Sequence, residues 1–145
     1  MVVAVITGLI LKISLPMVQN ALLNRRLTAA SASLAEAIQQ TRGQAIIAGC
    51  PYAIVFRQDS TTYQVKTDTA PGAPRICAAT LFNVGSEIAW TSGGGICMSP
   101  STTLQFNPDG TAIATTGTLS FSLSNGFATR TITVSGVGNV TVTSP

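Results

Sequence analysis

Apolar residues occupy nearly every position from 2 to 11 in the opening stretch MVVAVITGLILKISLP. Lys12 interrupts the run, and Ile13, Leu15, Met17 and Val18 resume it. A membrane-spanning helix needs roughly 20 apolar residues, so this segment falls a little short. A secretory signal peptide would put its positive charge ahead of the apolar run and a small-residue cleavage site after it. The sequence shows neither, so the segment is expected to stay on the protein.

The helical pattern then continues. Leu23, Leu27, Ala30, Leu34, Ile38, Thr41 and Ala45 recur at spacings of three and four, the stripe of an amphipathic helix. Arg25, Arg26, Glu36, Gln39, Gln40 and Arg42 fall largely off it and are expected to face water. Alanine is plentiful and no glycine interrupts residues 17–42. Pro16 is expected to kink the helix near its upstream turn. Gly49 caps its end near Ala48, and Pro51 follows. One helix of forty-odd residues measures about 65 Å at 1.5 Å per residue. A domain of this size cannot bury that length. The back half must pack on the body, and the front half needs lipid or other helices.

After Gly49 the period changes to two. YAIVF (52–56) and TYQVKT (62–67) flank a polar turn and predict a hairpin. Residues 69–80 contain Pro71, Gly72 and Pro74 and read as a loop. EIAW (87–90) is a short strand, and TSGGGICMSPS (91–101) a glycine-rich loop. TLQF (103–106) enters the turn NPDG (107–110), with proline at its second position. TLSFSLS (118–124), TRTITVS (129–135) and NVTVT (139–143) close the chain as strands. Leu119, Phe121, Leu123, Ile132, Val134, Val140 and Val142 give their antiparallel sheet one apolar side, which the amphipathic half of the helix covers.

Composition narrows the chemistry. Charged residues make up 9% of the 145, and the net charge is +3. The basic residues are scattered, only Arg25 and Arg26 being adjacent, which argues against a nucleic-acid footprint. The absence of histidine removes the usual general base, the commonest metal ligand and any Ser-His-Asp triad. Glu36, Asp59, Asp68, Glu87 and Asp109 form no close pair in the sequence. Asp109 is explained by its turn and Glu36 by helix solvation. Gly93-Gly94-Gly95 lacks the Lys-Ser/Thr of a phosphate loop. No catalytic residue, cofactor or metal is expected, so an enzyme is the weakest reading. Cys50, Cys77 and Cys97 show no CxxC spacing. Cys77 and Cys97, 20 positions apart in the loop-rich middle, are expected to pair if any disulfide forms, with Cys50 buried after the helix. The alternative is three reduced thiols.

A long helix with a lipid-like front and an antiparallel sheet against its back half resembles the type IV pilin architecture, an α+β pilin-like fold. The details resemble the GspH/FimT family of minor pseudopilins over almost the whole chain. Residues 20–49 are similar to the family's helix end, with its ARSEAI-x-RG segment. YAIVF is similar to its first strand, LQFNPDGTA to its F-x-x-x-G turn, and RTITVSGVGNVTV to its closing hairpin. Val2 to Ile6, Gly8 and Leu15-Pro16 align with the apolar run, glycine and Leu-Pro that open pilin helices. In that register Met1 sits about six residues inside the mature helix, and a late start site is expected; those residues would complete the roughly 20 needed to span.

The resemblance implies a structural subunit of a type II secretion pseudopilus or a type IV pilus. Residues 1–22 would be the transmembrane or filament-core segment, with Val2, Val5, Ile6, Leu9, Ile10, Ile13 and Pro16 in lipid or fibre core. Residues 23–145 would be a periplasmic domain, helix 23–48 plus a β-sheet over 52–143. The implied partners are other pilins, the bacterial inner membrane, crossed once, and the secretion or pilus machinery. Some FimT-like members resemble DNA-uptake factors with a Gly-Arg-x-Arg pattern in the closing hairpin. Gly138-Asn139-Val140-Thr141 stands there in this chain, without either arginine. Arg130 remains as a candidate DNA contact, weighed against a solvated strand charge.

Overall fold

The computed structural model describes residues 2–58, 60–69, 77–91 and 95–144, with the side chains of 2–18, Thr69, Ala78 and Ala79 outside that description. Helix α1 runs from Val2 to Ala48, 47 residues and about 70 Å. It ends as its sequence dictates. Gly49 takes a left-handed φ of 69°, and its N–H closes on the Ala45 carbonyl at 3.0 Å. The stripe is the buried face. Leu27, Leu34, Ile38 and Ala45 are fully buried, Ala30 and Thr41 nearly so, and Leu23 is half-buried. Thr41 satisfies its buried hydroxyl on the Ala37 carbonyl one turn back, at 2.8 Å. The expected kink at Pro16 lies outside the described side chains.

Among the described residues ten strands follow, in two antiparallel sheets. β1 (Tyr52–Phe56), β2 (Thr62–Thr69), β3 (Cys77–Asn83), β6 (Thr102–Phe106) and β7 (Ala112–Thr116) form the first, in the order β3-β2-β1-β6-β7. β4 (Ile88–Ala89) joins its β2. β5 (Cys97–Ser99), β8 (Ser120–Ser124), β9 (Thr129–Val134) and β10 (Val140–Thr143) form the second, in the order β10-β9-β8-β5. The predicted single apolar sheet is therefore the second of two. The sequence reading placed β3 and β5 in loops and left β7 unassigned. All three take up sheet edges, where a strand carries little apolar pattern, and β5 in addition pairs with the distant β8.

The helix touches β1 and β6 of the first sheet and β8, β9 and β10 of the second. The two sheets meet under it at Phe56 of β1 and Phe121 of β8, whose ring centroids are 5.2 Å apart. The chain crosses from β7 to β8 at Gly117, with φ at 76°. A Cβ there would lie 2.5 Å from the Ser101 carbonyl oxygen, so only glycine fits. The buried Thr102 hydroxyl faces the carbonyls of Thr116 and Thr118 at 3.0 and 2.7 Å and fixes that corner. Of the predicted apolar face, Val134 and Ile132 are buried and Val140 packs on the core. Val142, on the edge strand β10, stays 41% exposed.

Candidate assembly surface

Three sequence signatures converge at the C-terminal end of the helix. Arg42 was expected in water, but it is half-buried, and its Nε donates to the Gly110 carbonyl at 3.0 Å. Gly110 ends the NPDG turn of the first sheet, where Asp109 Oδ1 accepts from both the backbone N–H and the hydroxyl of Thr111. These bonds hold the Asp109 carboxyl below the usual aspartate range. Gly138, in the β9–β10 turn of the second sheet, packs against the same spot. A Cβ on it would run into the Gly110 carbonyl and lie 2.6 Å from Arg42 Nε. The Ala112 N–H also donates to the Gly136 carbonyl at 2.9 Å. The guanidinium thus bonds the helix to the first sheet, and Gly138 of the second sheet packs against it.

The disulfide differs from the expected one. Cys50 bonds to Cys77, with the Cα atoms 5.6 Å apart, and Cys97 is a free, exposed thiol. The reason is register. Tyr52 of β1 pairs with Thr67, and Thr69 pairs with Cys77, so the residue after the helix cap reaches the start of β3. Cys97 lies on β5 in the other sheet, opposite Ser124. Cys50 is buried, as expected. Asp68 lies beside the bridge, its carboxylate and the two sulfurs all within 4.8 Å of one another. With both sulfurs in the disulfide, the thiolates that a metal would need are not available. Asp68 Oδ1 is buried without a hydrogen-bond partner, and burial raises its carboxyl above the usual range against a smaller opposing backbone hydrogen bond.

At the opposite, front end the helix leaves the body. From Gln19 to Arg26 no side chain is buried, and Leu22 is 52% exposed. Asn24, with Phe127, Ala128, Thr129, Arg130 and Ser144, lines a groove of about 390 Å³ between helix and sheet. Arg130 is half-buried. Its Nη2 donates to Thr28 Oγ1 at 3.4 Å, while its Nε is buried without a partner. Asn125 shapes the adjoining β8–β9 turn by accepting from the N–H groups of Phe127 and Ala128 at 3.0 and 2.8 Å. That turn leaves Phe127 73% exposed at its tip. Val2, Val5, Ile6, Leu9, Ile10, Ile13 and Pro16 belong to the helix, but their side chains lie outside the described ones. Among the described residues no helix is long and apolar enough to cross a membrane.

Other polar contacts serve architecture. Glu87 pairs with Arg57 at 3.1 Å and accepts from Thr62 Oγ1 at 2.8 Å. Tyr63 is a core residue whose hydroxyl is raised above its ordinary value by burial and, secondarily, by the charge of Glu36. None of these contacts couples a nucleophile to a base, the minimum for covalent hydrolysis.

A long helix laid across two antiparallel sheets, with its front end free of them, is the fold of a type IV pilin-like subunit. The family model described as type II transport protein GspH matches residues 30–138, and the chain belongs to that family. The matched span holds Arg42, Gly110 and Gly138. Among solved structures, the Pseudomonas aeruginosa type IV minor pilin FimU is similar with a TM-score of 0.60 at 15% identity, covering 84% of this chain and 94% of that one. The minor pseudopilin EpsH of the Vibrio cholerae type 2 secretion system is similar with a TM-score of 0.57 at 13% identity, covering 83% and 98%. No curated protein matches the chain by sequence. The protein is a GspH-type minor pseudopilin, a structural fibre subunit and not an enzyme, with the fold shared by minor pilins and pseudopilins.

Proposed function

We propose that residues 1–22 anchor the subunit in the bacterial inner membrane in a single pass, and that residues 23–145 form a periplasmic body. The same segment then enters the core of a fibre when secretion or pilus machinery draws the subunit out. The observation that carries this reading is where burial begins. Leu27 is the first buried side chain described in the helix, which extends back to Val2. The 25 residues before Leu27 span about 37 Å and include the apolar run of the sequence. Moving from lipid to a bundle of like helices exchanges one apolar environment for another, so little apolar surface meets water on the way. Lys12 snorkels to the headgroups in lipid and meets a polar partner in the fibre.

Membrane fractionation tests the anchor. The full chain, made in a bacterium with a type II secretion system, should stay in the membrane pellet through alkaline carbonate. Residues 23–145, exported behind a cleavable signal peptide, should appear in the soluble periplasmic fraction. Release of the full chain by carbonate would overturn the anchor. Cross-linking of the full chain to other pilins in sheared fibres tests the second step.

A further inference from the structure

The geometry points to a headgroup-docking surface at the front end of the body: before assembly, Arg25, Arg26, Arg130 and the tip residue Phe127 engage anionic phospholipid headgroups. This rests on the anchor proposed above. The observation behind it is one of level. Asn24 and Phe127 share one groove, so the β8–β9 tip stands beside the helix where the apolar run ends. Val18 closes that run, and Asn24 follows six residues later, about 9 Å along the axis. The headgroup layer on each side of a bilayer is about 5–8 Å thick. With the helix upright and its apolar run in hydrocarbon, Asn24 and Phe127 therefore lie at the outer edge of the headgroups, and Leu22 within them.

The residues at this level have the chemistry of an interface. Phe127 is 73% exposed and Leu22 52% exposed, apolar surface that suits partial immersion. Arg25 and Arg26 are exposed on the helix beside it. Arg25 lines a groove that continues along the helix from Asn24 to Ala32. Arg130 lines the groove under Phe127, and its buried Nε is without a partner. The described carboxylates lie elsewhere. Glu36 is ten residues further up the helix than Arg26, Asp68 is by the disulfide, Glu87 is paired with Arg57, and Asp109 is in the turn at the far pole. Among the described residues no carboxylate stands beside Arg25, Arg26 or Arg130, and that cationic balance favours an anionic surface. A neutral apolar partner would leave the guanidinium groups without counter-charges.

The test uses the full chain carrying Phe127→Trp, reconstituted into vesicles of phosphatidylethanolamine with phosphatidylglycerol, or of phosphatidylcholine alone. The native Trp90 is buried and serves as the internal reference in the parent chain. Lipids carrying a quencher on the headgroup should quench most of the added emission in the anionic vesicles and much less in phosphatidylcholine. Substituting Arg25, Arg26 and Arg130 by alanine should lower the docked-to-free ratio by about fivefold per guanidinium. Raised ionic strength should lower it as well. Flotation of the same vesicles separates two failures. A chain that does not float sinks the anchor itself. A chain that floats with no charge-dependent quenching overturns only the docking surface. Protection of Phe127 confined to assembled fibres would reassign the patch to a subunit contact and overturn it. So would an Arg130-dependent shift on double-stranded DNA without quenching.

Discussion

Arg42 Nε donates a 3.0 Å hydrogen bond to the Gly110 carbonyl, across 68 positions of sequence. The bond joins the last turns of the helix to the hairpin tip of the first sheet, and Gly138 of the second sheet closes over it. The pole of the body opposite the free front end of the helix is therefore built on Arg42 packed between two glycines.

Gly138→Ala should be among the costlier single substitutions in the protein. Its φ of 80° is unfavourable for any Cβ, at about 1–2 kcal/mol. The added carbon also meets the Gly110 carbonyl and Arg42. Arg42→Ala removes a charge-assisted bond worth about 1.5–3 kcal/mol. The two changes disturb one contact, so in a double-mutant cycle by chemical denaturation their effects should add to less than their sum.

Breaking the Cys50–Cys77 bridge by Cys77→Ala should lower stability by about 3.5 kcal/mol, from the chain entropy of a loop closed over 27 positions. Cys97→Ala should leave the unfolding midpoint close to that of the parent, because its thiol is free and exposed. Thiol counting on the unfolded, non-reduced protein should find one reactive group. Three would refute the bridge.

The two aspartates with shifted carboxyls should move stability in opposite directions with pH. Asp109 is depressed, chiefly by the Thr111 hydroxyl. Its contribution is present above the ordinary aspartate range and lost as pH falls through its lowered value. Thr111→Val should therefore lower the melting temperature at neutral pH, with the difference shrinking in acid. Asp68 is raised by burial, so its charge opposes folding once pH exceeds the ordinary aspartate range. Asp68→Asn should raise the neutral-pH melting temperature and flatten its decline from acid to neutral.

Leu34→Ala should cost about 2–5 kcal/mol, since Leu34 is fully enclosed between helix and sheets. Leu22→Ala, on the exposed front of the same helix, should change the stability of the body by less than about 0.5 kcal/mol. Thermal unfolding of both variants maps where the helix stops serving the body.

The helix was legible from Leu23 to Gly49 because burial of one stripe imposes a period that survives in sequence order, and because glycine at a left-handed position marks its end. β1 was legible to the residue, since Ile54 and Phe56 of a short apolar run alternate into the core under the helix. Asp109 was correctly placed in its turn, whose hydrogen bonds are local. β3, β5 and β7 were not legible. Each is an edge strand, and exposed edges carry little hydrophobic signal; β3 and β7 pair with their sequence neighbours β2 and β6, and of the three only β5 pairs with a distant strand, β8.

The candidate site divides along the same line. The sequence marked the apolar front, the basic pair Arg25-Arg26 and the signatures around Arg42, Gly110 and Gly138, but gave each of those signatures only a local meaning. Periodicity and turn chemistry act over a few residues, so the chain order alone determined the long helix, the strand-rich body and their mutual burial. Which cysteines meet, which arginine is locked and which faces outward, and that Phe127 stands beside Asn24, depend on strand order and register. Those are fixed by packing two sheets under one helix, and only the tertiary structure decided them.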